Sequence, residues 1–366
     1  MQTITKTFPD GTVCRTGPTC HLHAGLWNPG AKLNEAFDTN TFSPPKVAEV
    51  NGFFGDKVIS AKPTPKKRLS KEEWLAKKKE ELAGYHEELE EQIENLKNDA
   101  NWKNYLDSMS KFHTYSFGNQ LLIMMQKPDA TRVAGFNKWK ELGRSVKKGE
   151  SSSISILAPK MAGVERKDAN GNLMRDAQGK IIKTQRCIGF TGVKVFDISQ
   201  TEGDALPSLP KLSETPPAGF KEDMESAVQS YGYTVEYNKD SGRGEGFTSK
   251  TTKKVVINEA LNDGQKASVL AHELGHIAAG HMDRTDYHTG HGGGRSTMEV
   301  EAESISYVLC RSNGMTPNVG TESKSYVAGW SRINVDKDVI KQSGEKVANV
   351  VSELLKKHSW RNAIDL

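Results

Sequence analysis

The stretch AHELGHIAAGH, residues 271–281, constrains this chain more than any other segment. Its four-residue spacing puts His272 and His276 on one helical face, one turn apart, so that two imidazole nitrogens can share one cation. Glu273 sits beside them and can reach a water on that cation without ligating it, as a metal-dependent hydrolase requires of its general base. Leu270, Leu274 and Ile277 fall on the opposite side. The pattern predicts an amphipathic helix over about 262–280, with its apolar face in a core and a polar metal edge.

A site with two histidines needs a third ligand from another element and an open fourth position. Glu299 opens a second helical pattern, MEVEAESISYVLC, and can supply that ligand. Glu303 shares its face, so that one of the two can ligate while the other accepts the outer N–H of a ligand histidine. Glu301 points elsewhere, and Ala302 offers the small side chain that close helix packing prefers. Zn2+ is the ion this set suits. Between the helices, DRTDYHTGHGGGRST carries Tyr287, His288, His291 and Arg295; it is either a loop that closes over substrate or an inert surface loop. Upstream, KKVVIN at 253–258 reads as an edge strand able to take an extended peptide by strand addition.

Charge is distributed unevenly. Residues 100–200 carry 17 basic and 8 acidic side chains, while the whole chain has a net charge of only +4. A positive excess confined to one segment suggests a polyanionic partner. The segment from Lys111 to Lys148 interleaves aromatics with cations and amides, the combination used to bind single strands. Phe112, Phe136 and Trp139 keep helical spacing and read as core. Tyr115, Asn119, Arg132, Arg144, Lys147 and Lys148 are the expected contacts, and Gln120 adds a second amide.

The rest of the chain divides by composition. Residues 1–69 form an irregular arm ending in the basic linker KPTPKKR. Its Cys14, Cys20, His21 and His23 match no standard zinc spacing. The four cysteines are too few and scattered for a disulfide framework, and Cys310 suits a buried, reduced thiol. Ser70 and Glu73 form a capping box opening a charged helix to about residue 98, with Leu75, Leu82, Leu89 and Leu96 as a single stripe. Residues 70–200 are read as this helix plus an α+β nucleic-acid domain, with strands at SISIL and IGFTGVKVFDIS around an Asn170-Gly171 turn. A Pro-rich linker covers 201–217. Residues 218–366 form a mostly helical domain with a small sheet, and no internal repeat is expected. The fold class is thus α+β with two domains. No apolar run approaches the roughly 18 residues of a membrane helix, so a soluble, cytoplasmic protein with no membrane partner is expected.

The stretches FHTYSFGNQLLIMMQKPDATRVAGFNKWKELGRSVKKGE and VFDISQTEG, with LAHELGHIAAGH, EVEAESISYVLC and YVAGWS, resemble the ArdC-type antirestriction proteins over roughly residues 98–335. The resemblance implies an N-terminal domain that binds single-stranded DNA, joined to a zinc metallopeptidase domain akin to the ImmA/IrrE and SprT-like peptidases. It also implies protection of incoming plasmid or phage DNA. His272, His276 and Glu299 then look like metal ligands and Glu273 like the general base. Two other readings stay open: a non-enzymatic DNA-protecting protein with a structural zinc site, and a phage or plasmid protein delivered with DNA.

Overall fold

The computed structural model describes residues 4–7, 13–16, 70–209, 211–239, 244–284, 294–317, 335–358 and 360. One compact unit comprises residues 1–25, 84–158 and 192–366, and a second comprises 26–83 and 159–191. The suggested knuckle residues Cys20, His21 and His23, and the loop residues Tyr287, His288 and His291, lie outside the described residues. No helix among the described residues is long and apolar enough to cross a membrane.

Strands β1 (Ile4–Thr7) and β2 (Val13–Thr16) pair antiparallel. Helix α1 (Lys71–Asn95) opens on the expected box: Glu73 N donates to Ser70 Oγ at 3.1 Å and Ser70 N to Glu73 Oε2 at 2.8 Å. Along it Leu75, Leu82 and Leu89 are half-buried, and beyond its end Leu96 is buried, so the stripe is one seam deepening along the chain. Asn98 then caps α2 (Asp99–Phe112), and a short turn leads to α3 (Phe117–Gln126).

These two helices serve two cores. Trp102, Tyr105, Leu106, Met109, Phe117 and Leu121 join the main cluster, together with residues as distant as Leu270 and Val351. Phe112 and Ile123 face a smaller cluster with Val133, Ile154, Ile156 and Val195. Burial on two sides explains the run LLIMM, which lacks a polar face. Polar anchors follow the same division: Trp102 Nε1 donates to Ser304 Oγ at 2.9 Å, and Asp107 accepts from Tyr307 and Arg311. The proposed linker at 201–217 therefore does not separate two independent cores. Helices assigned by sequence to the first domain complete the core of the second.

Over the smaller core, β6 (Lys183–Asp197) lies between β3 (Val133–Ala134) and β5 (Ile154–Glu165). Helix α4 (Phe136–Glu141) and the pair β4 (Arg144–Val146) and β7 (Thr201–Gly203) flank it. In the second unit the chain between β5 and β6 branches. Met174 N donates to Arg166 O, Ile182 N to Met174 O and Arg166 N to Ile182 O, a closed ring of three bonds at 2.8–2.9 Å. Two short turns leave this ring, DANGN and DAQGK, in which Asp168 and Asp176 accept backbone N–H groups and Gly171 and Gly179 adopt φ of +86° and +79°. The single expected turn is one of a pair, an eight-residue repeat too short to stand out by composition.

The C-terminal part runs α5 (Phe220–Ser230), β8 (Thr234–Asn238), β9 (Gly246–Ser249), β10 (Lys254–Asn258), α6 (Asp263–Ala278), α7 (Gly294–Ser312) and α8 (Lys337–Lys357). Strand β10 is central, parallel to β8 and antiparallel to β9. The expectation that 253–258 forms an edge is thus corrected: Val255, Val256 and Ile257 are all buried, as a strand covered on both faces requires. The edges are β8 and β9, and the sequence of β9, GFTS, reads as part of a turn.

Candidate functional site

Asn262 and Gln265 cap α6 reciprocally, with Gln265 N donating to Asn262 Oδ1 at 2.9 Å. The helix then runs tightly against α7. A Cβ added at Gly275 would lie 2.9 Å from the carbonyl oxygen of Ala302, closer than side chains tolerate. Glycine facing alanine brings the two backbones together and sets Glu299 opposite the histidines. His272 Nε2 and His276 Nε2 are 3.1 Å apart, and Glu299 Oε2 is 3.4 Å from each. Ligands about 2.0–2.1 Å from a tetrahedral ion are spaced about 3.3 Å apart, so the three atoms fit one face of such a site. They are the metal-competent cluster among the described residues.

Two imidazole lone pairs and a carboxylate this close require a positive charge among them. A proton can stand in for a metal ion. Burial works against protonating His272, but its hydrogen bonds to Glu299 and Glu303 outweigh this and raise its pKa to about 10. For Glu299, burial pushes upward, yet the bonds from His272 and His276 hold the carboxyl well below its usual range.

The outer nitrogens decide which tautomers face inward. His272 Nδ1 is 2.9 Å from Glu303 Oε2, so the carboxylate takes its N–H and leaves the Nε2 lone pair for a cation. His276 is governed at one remove. Its Nδ1 is 2.9 Å from His281 Nδ1, and His281 Nε2 is 2.8 Å from Glu301 Oε2. An ionised carboxylate can only accept, which places the proton of a neutral His281 on Nε2 and makes its Nδ1 an acceptor. His276 must then donate from Nδ1, freeing Nε2. Burial lowers the His281 pKa despite Glu301, favouring the neutral ring. Burial pushes Glu301 up, but His281 and Lys346 hold it ionised, and Ser343 Oγ and Lys346 Nζ each donate to it at 2.8 Å.

Glu273 is 7% exposed, and Thr248 Oγ1 on β9 donates to its Oε2 at 2.6 Å. The edge strand thus aims the carboxylate, leaving Oε1 for a proton. Sequence reasoning missed Thr248, because β9 is short and starts at a glycine. It missed His281 too, although the residue closes the opening motif. Glu301 does turn away from the ligands, as expected, but into this buried network.

The expected nucleic-acid contacts separate into two groups. Tyr115 OH donates to Val133 O at 2.6 Å. Asn119 bonds both backbone groups of Leu157, at 2.8 and 2.9 Å. Arg144 donates to Thr201 Oγ1 and to the carbonyls of Thr201, Gly203 and Asp204. These three bond the backbone of neighbouring strands, and Gln120, fully buried, bonds Tyr105, Phe112 and Tyr115. Lys147 and Lys148 are exposed, and Lys147 Nζ donates to Ser199 O at 2.9 Å. Arg132 is buried. Phe136, read as core, is 46% exposed because it follows Gly135 at the outer end of α4, while Trp139 fills the interior.

Residues 83–196 match the N-terminal domain of anti-restriction factor ArdC. Residues 230–311 match the IrrE N-terminal-like domain. An uncharacterized Bacillus anthracis protein, pXO2-81/BXB0111/GBAA_pXO2_0111, is 25% identical over 268 residues, or 62% of this chain; the match spans 42% of that relative, less than half its length. Among solved structures, the metal-free antirestriction ArdC protein from the R388 plasmid is 22% identical with a TM-score of 0.39, covering 67% of this chain and 86% of that one. Its Mn(II)-bound form is 20% identical with a TM-score of 0.40, covering 66% and 84%.

Proposed function

The chain is of ArdC type, joining an ArdC N-terminal domain to an IrrE-like domain, and we propose that it acts on single-stranded DNA as an antirestriction protein whose second domain is a zinc-dependent peptidase. The observation that carries the peptidase reading is the convergence of His272 Nε2, His276 Nε2 and Glu299 Oε2 within 3.4 Å beside a buried, aimed Glu273. These three residues would hold the ion. Zinc would supply Lewis acidity and a water acidified towards neutral pH.

The chain's own groups do the remaining work. Glu273 Oε1 takes the proton of the attacking water and delivers it to the leaving amine. Thr248 keeps the carboxylate pointed during that transfer. Glu303 and the His281–Glu301 pair keep both ligand rings in the correct tautomer. On the nucleic-acid side, the positive excess of residues 100–200 supports the single-strand reading, with Lys147, Lys148 and Arg132 as contacts.

The test is zinc stoichiometry, with manganese as a second cation, together with peptide cleavage and self-cleavage with and without single-stranded DNA. Glu273→Gln should keep one metal per chain and lose cleavage. Unchanged turnover in that variant sinks the catalytic assignment. Metal removal that costs stability, with no cleavage by the wild type, supports a structural metal site in a DNA-protecting protein instead.

A further inference from the structure

A buried guanidinium loses its hydration and is costly unless an anion replaces it. Arg132 is 5% exposed. Its Nη2 donates to the carbonyl of Pro207, and burial depresses its pKa with no acidic group offsetting the loss. The nearby buried carboxylate, Asp197, spends its oxygens on the backbone N–H groups of Thr131, Arg132 and Ser199.

Arg132 lines a cleft of about 180 Å³ with Lys111, Thr114, Gly135, Lys138 and Leu209, and none of its lining residues is acidic. The two lysines are weakly held: Lys111 Nζ is 3.5 Å from Ala130 O, and Lys138 Nζ is 3.4 Å from Glu141. The volume falls below the about 300–1,000 Å³ of typical small-molecule pockets, which favours a phosphate-sized anion over an organic cofactor. Phe136 follows Gly135 directly. Its exposed ring has Lys140 Nζ 4.7 Å from the centroid and rests edge-on against Phe196 at 6.4 Å. A cationic recess beside an exposed aromatic ring is what single-strand binding uses: one grips phosphate, the other stacks a base.

We infer that this cleft anchors one backbone phosphate of single-stranded nucleic acid through Arg132 and Lys138, with the adjoining base stacked on Phe136. The inference rests on the single-strand reading above. Leu209 lines the cleft and the carbonyl of Pro207 accepts from Arg132, so the supposed linker contributes to the site.

The test uses the full chain and fluorescence anisotropy with a labelled oligothymidylate of about 12 nucleotides across a salt series. Lys138→Gln should weaken binding about fivefold or more and lower the log–log salt slope by about 0.7. Phe136→Ala should weaken binding similarly without changing the slope, and Phe136→Trp should retain it. Lys138 and Phe136 are both about half exposed, so these variants do not depend on tolerance of a core change. Arg132→Gln should have the largest effect, read alongside its circular dichroism. Orthophosphate should displace the oligonucleotide more effectively than chloride at matched ionic strength; equal displacement counts against the cleft and for diffuse charge. Wild-type binding left unchanged by Lys138→Gln and Phe136→Ala overturns the cleft and leaves the single-strand reading standing. No wild-type binding overturns both.

Discussion

The metal cluster and the Arg132 cleft both gather charge, but they resolve it in opposite ways. In the cluster every group has a protein partner: Glu303 behind His272, His281 and Glu301 behind His276, Lys346 and Ser343 behind Glu301. In the cleft the buried Arg132 lines the recess with two loosely held lysines and no carboxylate. A chain of satisfied partners fixes geometry and tautomer for chemistry, whereas an uncompensated charge leaves its balance to a ligand. The first is built to hold its form; the second is built to be completed.

This contrast can be broken in several ways. The largest effect is expected from Glu273→Gln, which should lower peptide cleavage by about 10²–10⁴-fold while metal content stays constant. Full activity would show that the cluster's order serves structure alone. Glu301→Gln should weaken metal binding by about 10–100-fold in chelator competition, since the neutral amide no longer forces the tautomers of His281 and His276. Unchanged affinity would mean that the outer partners are incidental. Gly275→Ala should cost about 1–3 kcal/mol in denaturant unfolding, because the new methyl meets Ala302 and pushes α7 from α6. The smallest effect is expected from Asn119→Ala, which removes two bonds to Leu157 and should cost about 1–2 kcal/mol of stability. It should leave the affinity for single strands unchanged, whereas weaker binding at an unchanged salt slope would mark Asn119 as an uncharged contact.

Legibility followed the range of the interactions. The α6 motif and the Ser70–Glu73 capping box of α1 were readable because their signals lie within one or two turns. Ala302 was readable as a close-packing position, though its partner Gly275 needed the helix crossing. Strand β9, and Thr248 with it, was hidden by a glycine-rich sequence that pairs only because β10 lies beside it. Residue type alone did not show that Tyr115, Asn119 and Arg144 also bond the backbone of neighbouring strands. Nor did it show the exposure of Phe136, since helical spacing does not tell which end of a six-residue helix is covered.

By itself, the sequence determined that two histidines and a glutamate share one polar edge of a buried helix, because helix geometry places residues four apart on one face whatever surrounds them. Tertiary structure alone decided that Glu299 meets that edge, that His281 and Glu301 orient His276, and that Arg132 is buried without a counter-charge. Those outcomes depend on close approach between segments far apart in the chain. Such contacts are set by packing around a shared core, to which no local period points.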